Sequence, residues 1–250
     1  MTDLKPRHIR TDLGRLSANP ANNRLKIWRA LCRFWVDAGL IEEDPAISVR
    51  KRKVASTIGH EPWLWQDVQA FRDRWPIGTM QRLALELAVS TGAARTDLVR
   101  LGPGMLDKEG WLSYRRSKSG GVAVVPLLCE LPDWMPHNPY LQECLEIAPR
   151  HLTWLSTKRG AARSDKALGT WFSNAARDAG ISKGKTLHGI RKLLSVTMAE
   201  NGAPAEQRMA ILGHETEAEA RNYSKTASLK KIISGTKFSN STNSVGKSAK

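Results

Sequence analysis

Glycine and proline cut residues 187–223 into three short runs of helical period, and that punctuation leaves little besides a cluster of short packed helices. In the first run Leu187, Ile190, Leu194 and Met198 form an apolar stripe, which predicts one buried face. His188 and Arg191 are three residues apart, so on a helix they point the same way, and the spacing predicts a basic face opposite the stripe. Gly202 stops this run, Pro204 suits the first turn of the next helix, and Gly213 ends that helix. His214 is thereby set at a helix end. A polar segment from Glu215 to Arg221 reads as a further helix with Tyr223 near its end.

Upstream, Trp111–Pro126 has two strand-like runs around Ser117-Lys118-Ser119-Gly120-Gly121, a turn signal that puts Lys118 at the tip of a β-hairpin. Between Trp63 and Ser90 the pattern is helical, with Leu83, Ala84, Leu87 and Ala88 on a buried face. Residues 152–179 read as a strand followed by a helix whose Trp171 and Phe172 belong to the core. Leu25, Trp28, Leu31, Cys32 and Trp35 have helical spacing ahead of Gly39, marking a small helical module. The expected fold is mainly α with a small β-hairpin or sheet, an α+β domain preceded by a helical region. Expected boundaries are a helical region at 1–53, a basic and polar linker at 54–61, the main domain at 62–235, and a disordered tail at 236–250. Just ahead of that tail, Ser228–Ser234 reads as a packing helix.

With 39 Lys and Arg against 24 Asp and Glu, the formal charge of +15 points to a polyanionic partner, and counterion release from DNA would supply much of the affinity. A hydrophobic content of 41% separates the chain from a disordered basic arm. Cys32, Cys129 and Cys144 lack paired-ligand spacing, which argues against a zinc ribbon or a disulfide framework and suits a reducing cytoplasm. A phosphate-binding glycine loop, H-E-x-x-H and an 18-residue apolar run are all absent. No cofactor, metal, ATP or membrane is therefore expected.

Any one of these signals is weak, because H-x-x-R arises by chance in basic proteins. Order and spacing carry more weight. H-x-x-R at His188–Arg191 is followed after twenty-three residues by the histidine of L-G-H, and nine residues later by Tyr223. In these residues the chain resembles the tyrosine recombinase (phage integrase) family, from about Leu25 to about Ser234. The resemblance implies a tyrosine recombinase-like catalytic domain behind a shortened core-binding region. It implies site-specific DNA recombination or integration on double-stranded DNA, in which tyrosine attacks a phosphodiester to leave a 3′-phosphotyrosyl bond and a free 5′-hydroxyl. Tyr223 would be the nucleophile, Arg191, His188 and His214 the phosphate stabilisers, and Lys118 the general acid for the leaving oxygen. His214 has an alternative reading as a structural hydrogen-bonding residue. Arg115 and Arg116, with Arg50, Lys51, Arg52 and Lys53 of the linker, would contact the DNA backbone. The family precedent further implies a homo-oligomer on DNA, a tetramer on two sites, in a cytoplasmic, nucleoid-associated protein of bacterial or phage origin.

One position departs from the family. Thr91, Gly92, Asp97 and Leu98 fit its T-G-x-R-x-x-D/E-L pattern, but the first catalytic arginine falls on Ala94, with Arg95 adjacent. Adjacent helical residues point about 100° apart, so Arg95 is a doubtful replacement. Three explanations stay open: Arg95 substitutes, the chain is a DNA-binding remnant, or Ala94 was introduced to stall cleavage. A non-catalytic, regulatory DNA-binding relative is the leading alternative, and a type IB topoisomerase-like relaxing enzyme is the second. The helical region also reads as short of a full core-binding domain.

Overall fold

The computed structural model describes residues 3–54, 60–157 and 159–234. It divides into two compact units, Met1–Ile58 and Gly59–Lys250. The expected linker falls largely on 55–59, and the expected disordered tail entirely on 236–250, outside the described residues.

In the first unit, Pro6 opens helix α1 (Pro6–Gly14) and its fixed φ suits that position. Helix α2 (Ala18–Asp37) follows. Ile9, Leu13, Ala21, Leu25, Cys32, Ala46 and Val49 make a core of their own, with Trp28 and Trp35 packed at its margin. Leu31 remains partly outside it, at 37% exposure. The Trp28 indole donates to Asp12 at 2.8 Å, so the aromatic body is packed while its polar edge is satisfied. The basic run after Val49 has no regular secondary structure, and one of its members does structural duty. Arg52 donates to the carbonyls of Leu16 at 2.6 Å and Leu13 at 2.9 Å, closing the end of α1. Its guanidinium thus has partners within the unit, and Arg50, Lys51, Arg52 and Lys53 are all exposed.

The second unit is built around α4 (Met80–Thr91), which is buried from Arg82 through Thr91. Around it lie α3 (Trp65–Arg74), the short α5 (Arg95–Leu98), α6 (Leu141–Ile147), α7 (Asp165–Asp178) and α8 (Leu187–Glu200). The sequence suggested a one-sided helix here. Its polar residues Arg82 and Glu86 are nevertheless interior because they pair with each other and with Arg72. Thr79 caps α4 by accepting from the Arg82 amide at 3.2 Å. Gly92 ends it at φ +58, and a Cβ there would lie 2.6 Å from Leu212 Cδ2. A side chain at Gly92 would therefore block the approach of the later helices.

Strands β1 (Trp111–Arg115) and β2 (Val122–Pro126) form the antiparallel hairpin, in register Trp111↔Pro126 through Arg115↔Val122. Leu112, Tyr114, Ala123 and Val125 are buried, the period-two alternation of a sheet with one covered face. Beyond α8 come α9 (Ala205–Leu212), α10 (Glu217–Tyr223) and α11 (Leu229–Ser234). The strand expected at the start of 152–179 is reduced to one isolated bridge, Ser156↔Ala162, since no neighbouring strand extends the ladder among the described residues. The helix that follows is present as α7, with Phe172 buried and Trp171 half-buried under Arg163.

Candidate active site

Three helix ends and the hairpin converge on one point. Helix α8 carries His188 in its first turn and Arg191 three residues later, and its stripe residues Leu187, Ile190, Leu194 and Met198 are all buried. Arg191 is buried as well, at 1% exposure, so the expected solvent-facing basic face is corrected to an internal one. The cause is local. Its guanidinium donates to Gly92 O and Leu212 O, both at 2.7 Å, and these carbonyls end α4 and α9, where helical carbonyls lack an intrahelical partner. Burial, then the nearby Arg116, lowers the pKa of Arg191 from its ordinary value.

Tyr223 closes α10 and is half-buried. Its hydroxyl lies 3.2 Å from His188 Nε2, and its ring is 5.2 Å from the Arg191 guanidinium carbon and 4.7 Å from the His214 ring. His214 follows the left-handed cap Gly213 (φ +62), which turns the chain directly after α9. Gly213 admits no side chain, because a Cβ would fall 2.7 Å from Arg116 Cδ. Gly121 of the hairpin turn is equally constrained, since its Cβ would sit 2.6 Å from Gly213 O. Two glycines without side chains thus let the hairpin end touch the His214 turn.

Arg116, expected as a surface phosphate contact, is buried at 7% exposure and donates to Gly213 O at 3.0 Å and Glu219 Oε1 at 3.2 Å. Arg115 is exposed and braces the turn through Gly120 O at 2.8 Å. Lys118 is exposed in the turn, as expected from the hairpin pattern. Asp97 accepts from the Ser117 amide at 2.7 Å, and Arg100 donates to the Ser117 hydroxyl at 2.7 Å, so α5 and the residues after it clamp the turn that carries Lys118.

The electrostatics are those of a positive pocket. Burial pushes the His188 imidazole down to about 4, helped by His60, Arg191, Lys192 and Lys118. Burial pushes His214 down to about 3, helped by Arg191, Arg116 and Arg208. Glu219 lies 3.7 Å from His214 Nε2, beyond hydrogen-bonding distance, and the surrounding arginines outweigh it, so His214 is neutral. Both His214 ring nitrogens, Arg191 Nε and Arg116 Nε have no partner among the described residues. Buried polar nitrogens left this way are costly unless a ligand completes them.

Arg95 stands apart. It is exposed, donates to Asp165 at 2.8 Å and lies over Gly169, where a Cβ would be 2.8 Å from its Cδ. Ala94 itself is half-buried and caps α5 without a side-chain bond. A groove of about 600 Å³ is lined by Ala94, Arg95, Thr186, His188 and His60. His60 was not singled out by sequence reasoning; its ring is 4.5 Å from that of His188, and nothing in a polar linker marks it. The pairing of Glu219 with Arg116 was also missed, for want of any spacing signal between residues so far apart.

A family model for the phage integrase family matches residues 66–229. The chain belongs to that family, and its fold is the α+β fold of an integrase catalytic domain. Among relatives it is 22% identical over 202 residues to tyrosine recombinase XerC of Chlamydia trachomatis, covering 79% of this chain and 64% of the relative. It is 27% identical over 213 residues to tyrosine recombinase XerD of Mycobacterium leprae, covering 80% and 67%. The chain thus spans just under two thirds of the length of the XerC relative. Among solved structures it resembles a lambda integrase dimer bound to a COC′ core site, with a TM-score of 0.74 at 21% identity, covering 90% of this chain and 81% of that one. Among the described residues no helix is long and apolar enough to cross a membrane, and no group of three or more metal-ligating side chains is found.

Proposed function

We propose that this chain cleaves and rejoins double-stranded DNA through Tyr223, in site-specific recombination or integration. The observation that carries the proposal is the Tyr223 hydroxyl 3.2 Å from His188 Nε2, beside a buried arginine with an unpartnered nitrogen. Family membership supports the reaction class. A neutral His188 can accept the tyrosyl proton as Tyr223 Oη attacks phosphorus. Arg191, Arg116 and His214 would meet the charge that builds on the non-bridging oxygens. The P–O5′ bond breaks as the Tyr223–phosphate bond forms, and Lys118 gives a proton to the departing 5′-oxygen. Reversal by a 5′-hydroxyl restores the backbone, so the ester bond is conserved and no nucleotide hydrolysis is needed. A bound phosphate would raise both histidine pKa values by supplying a nearby negative charge.

The proposed partner is DNA, on which the chain acts as a homo-oligomer in the cytoplasm. Lambda integrase is described as a dimer on a core site and as a tetramer on a Holliday junction, which supports the oligomeric part. Arg50, Lys51, Lys53 and Arg115 are proposed backbone contacts on the strength of exposure and charge.

A second reading, a DNA-binding relative without cleavage, is favoured by Ala94 and by the engagement of Arg95 with Asp165. One experiment separates the two. Nicked suicide substrates made from genomic fragments enriched by binding are incubated with the chain and with Tyr223→Phe, and SDS-resistant adducts are counted. An adduct lost in Tyr223→Phe, with binding retained, supports cleavage. Specific binding with no adduct, together with adduct in Ala94→Arg, supports the second reading. Equal adduct in Tyr223→Phe removes Tyr223 as nucleophile.

A further inference from the structure

We propose that His60 is a positioning residue for His188: strapped across the first turn of α8, its imidazole holds the His188 ring with Nε2 toward the Tyr223 hydroxyl. The inference rests on the reading of Tyr223 and His188 given above. Residues 60–63 lie along the start of α8 and are tied to it repeatedly. Glu61 pairs with Lys185 in a parallel bridge, and the Trp63 amide donates to Gly189 O at 3.2 Å. Lys192 Nζ donates to His60 O at 2.6 Å, and the Thr186 hydroxyl lies 3.4 Å from His60 Nδ1. Lys185, which anchors the strap, also donates to Asp67 at 2.6 Å.

The approach depends on Gly189, where a Cβ would lie 2.3 Å from Glu61 O and 2.9 Å from Trp63 Cδ1. A glycine in the first turn of a helix has a conformational cost, and here it is what allows the strap to lie against the helix. The outcome is a His60 ring tilted by 50° at 4.5 Å from His188, and the His188 ring is also tilted against that of Tyr223 at 5.3 Å. With two rings packed against it, the His188 imidazole loses freedom that would otherwise have to be given up when the tyrosine reacts.

The titratable and charged groups facing His188 are Arg191 and Lys192 from its own helix, Lys118 from the hairpin turn, His60 from the strap and Tyr223 from α10. No carboxylate is among them, and after burial His60 comes first among the neighbours that hold the His188 imidazole below its ordinary range. Removing the His60 ring therefore loosens His188 and opens it to solvent, and both changes let it protonate more readily.

The test uses the full chain with isotopically labelled histidine, the His188 resonance being assigned by its disappearance in His188→Gln. In His60→Ala the His188 midpoint is expected to rise from about 4 by about one pH unit or more. The acid limb of Tyr223-dependent adduct formation should move up with it, so the loss is larger at about pH 5 than at about pH 8. His60→Phe keeps a ring without a charge. It should recover adduct at pH 8 relative to His60→Ala, with a His188 midpoint between the other two. An unmoved midpoint in His60→Ala overturns the proposal, including the case where adduct falls equally at every pH. If wild-type chain forms no adduct but the midpoint moves, the hold of His60 on His188 stands and the reading of the reaction fails.

Discussion

Two buried arginine clusters touch the same helix, and they are built differently. Near the middle of α4, Glu86 is fully buried and receives Arg72 through two bonds of 2.9 and 2.8 Å, with Arg82 as its second partner. The Tyr140 ring lies 4.6 and 4.7 Å from the two guanidinium carbons. At the end of α4, Arg191 is just as deeply buried but has only two carbonyls and the face of Tyr223. The first cluster shares one carboxylate between its two guanidiniums, and none of their buried side-chain atoms lacks a hydrogen-bond partner. The second is held by the partial charges of two helix ends, which retain a cation without neutralising it. A buried cation left unneutralised is costly in a free protein, and that cost is offset when an anion arrives. The difference would separate a brace from the proposed binding site without reference to any relative.

The sharpest way to break this contrast is Arg191→Lys. A lysine cannot span two carbonyls and a phosphate with one planar group, so adduct formation should fall on the order of 10³-fold, read by single-turnover cleavage. A loss smaller than about tenfold would place Arg191 with the braces. Glu86→Gln attacks the other side. Leaving two buried guanidiniums without their carboxylate should cost about 3–5 kcal/mol, a drop of roughly 10 °C in Tm, and more than Arg191→Met costs in the same calorimetric scan. A smaller drop for Glu86→Gln than for Arg191→Met would reverse the assignment.

The pocket histidines sharpen the contrast through pH. His214 has a folded pKa of about 3 against 6.5 when free, so the unfolded chain binds the proton more readily. Its contribution to stability is fully present above about pH 6.5 and is lost as pH falls toward about 3, each tenfold difference in proton affinity being worth about 1.4 kcal/mol. His188, at about 4, acts in the same direction. Urea midpoints should therefore fall between pH 7 and pH 4.5, and fall less steeply in His214→Gln. An unchanged slope in that variant would mean that His214 is not buried in its neutral form.

Ala94→Arg should raise adduct formation about tenfold or more by adding a further cation to the pocket; no gain would mean that cleavage is limited elsewhere. The smallest effect is expected at Arg95, whose pair with Asp165 is largely exposed. Arg95→Ala should change stability by less than about 1 kcal/mol. If it also abolishes adduct, Arg95 leaves Asp165 when DNA binds.

Much of this was legible in the chain itself. The stripe on α8, the glycine stops at Gly202 and Gly213, the hairpin turn at Lys118 and the helix ending in Tyr223 follow from period and turn chemistry, which are local. The order of His188, Arg191, His214 and Tyr223 pointed to the family in the same way. Reading failed where a residue's fate depends on a distant partner. Arg191 looked like a surface cation because a sequence shows which face of a helix it shares and not that Gly92 and Leu212 end beside it. Arg116 is interior for the same reason, since its partners are a carbonyl and a carboxylate brought in by other elements. Arg82 and Glu86 broke the apparent amphipathicity of α4 by pairing inside the core.

Local propensity and pattern thus determined which segments are helices, where they stop, and which side chains are chemically suited to a phosphodiester. Tertiary structure alone decided which cations are spent on internal partners and which remain open, and that His60 lies against His188. The physical reason is that charge burial and ring contacts are pairwise terms between residues remote in the chain. Their sign is set by what the fold places opposite them, and only helix ends, close glycine approaches and buried carbonyls supply that information.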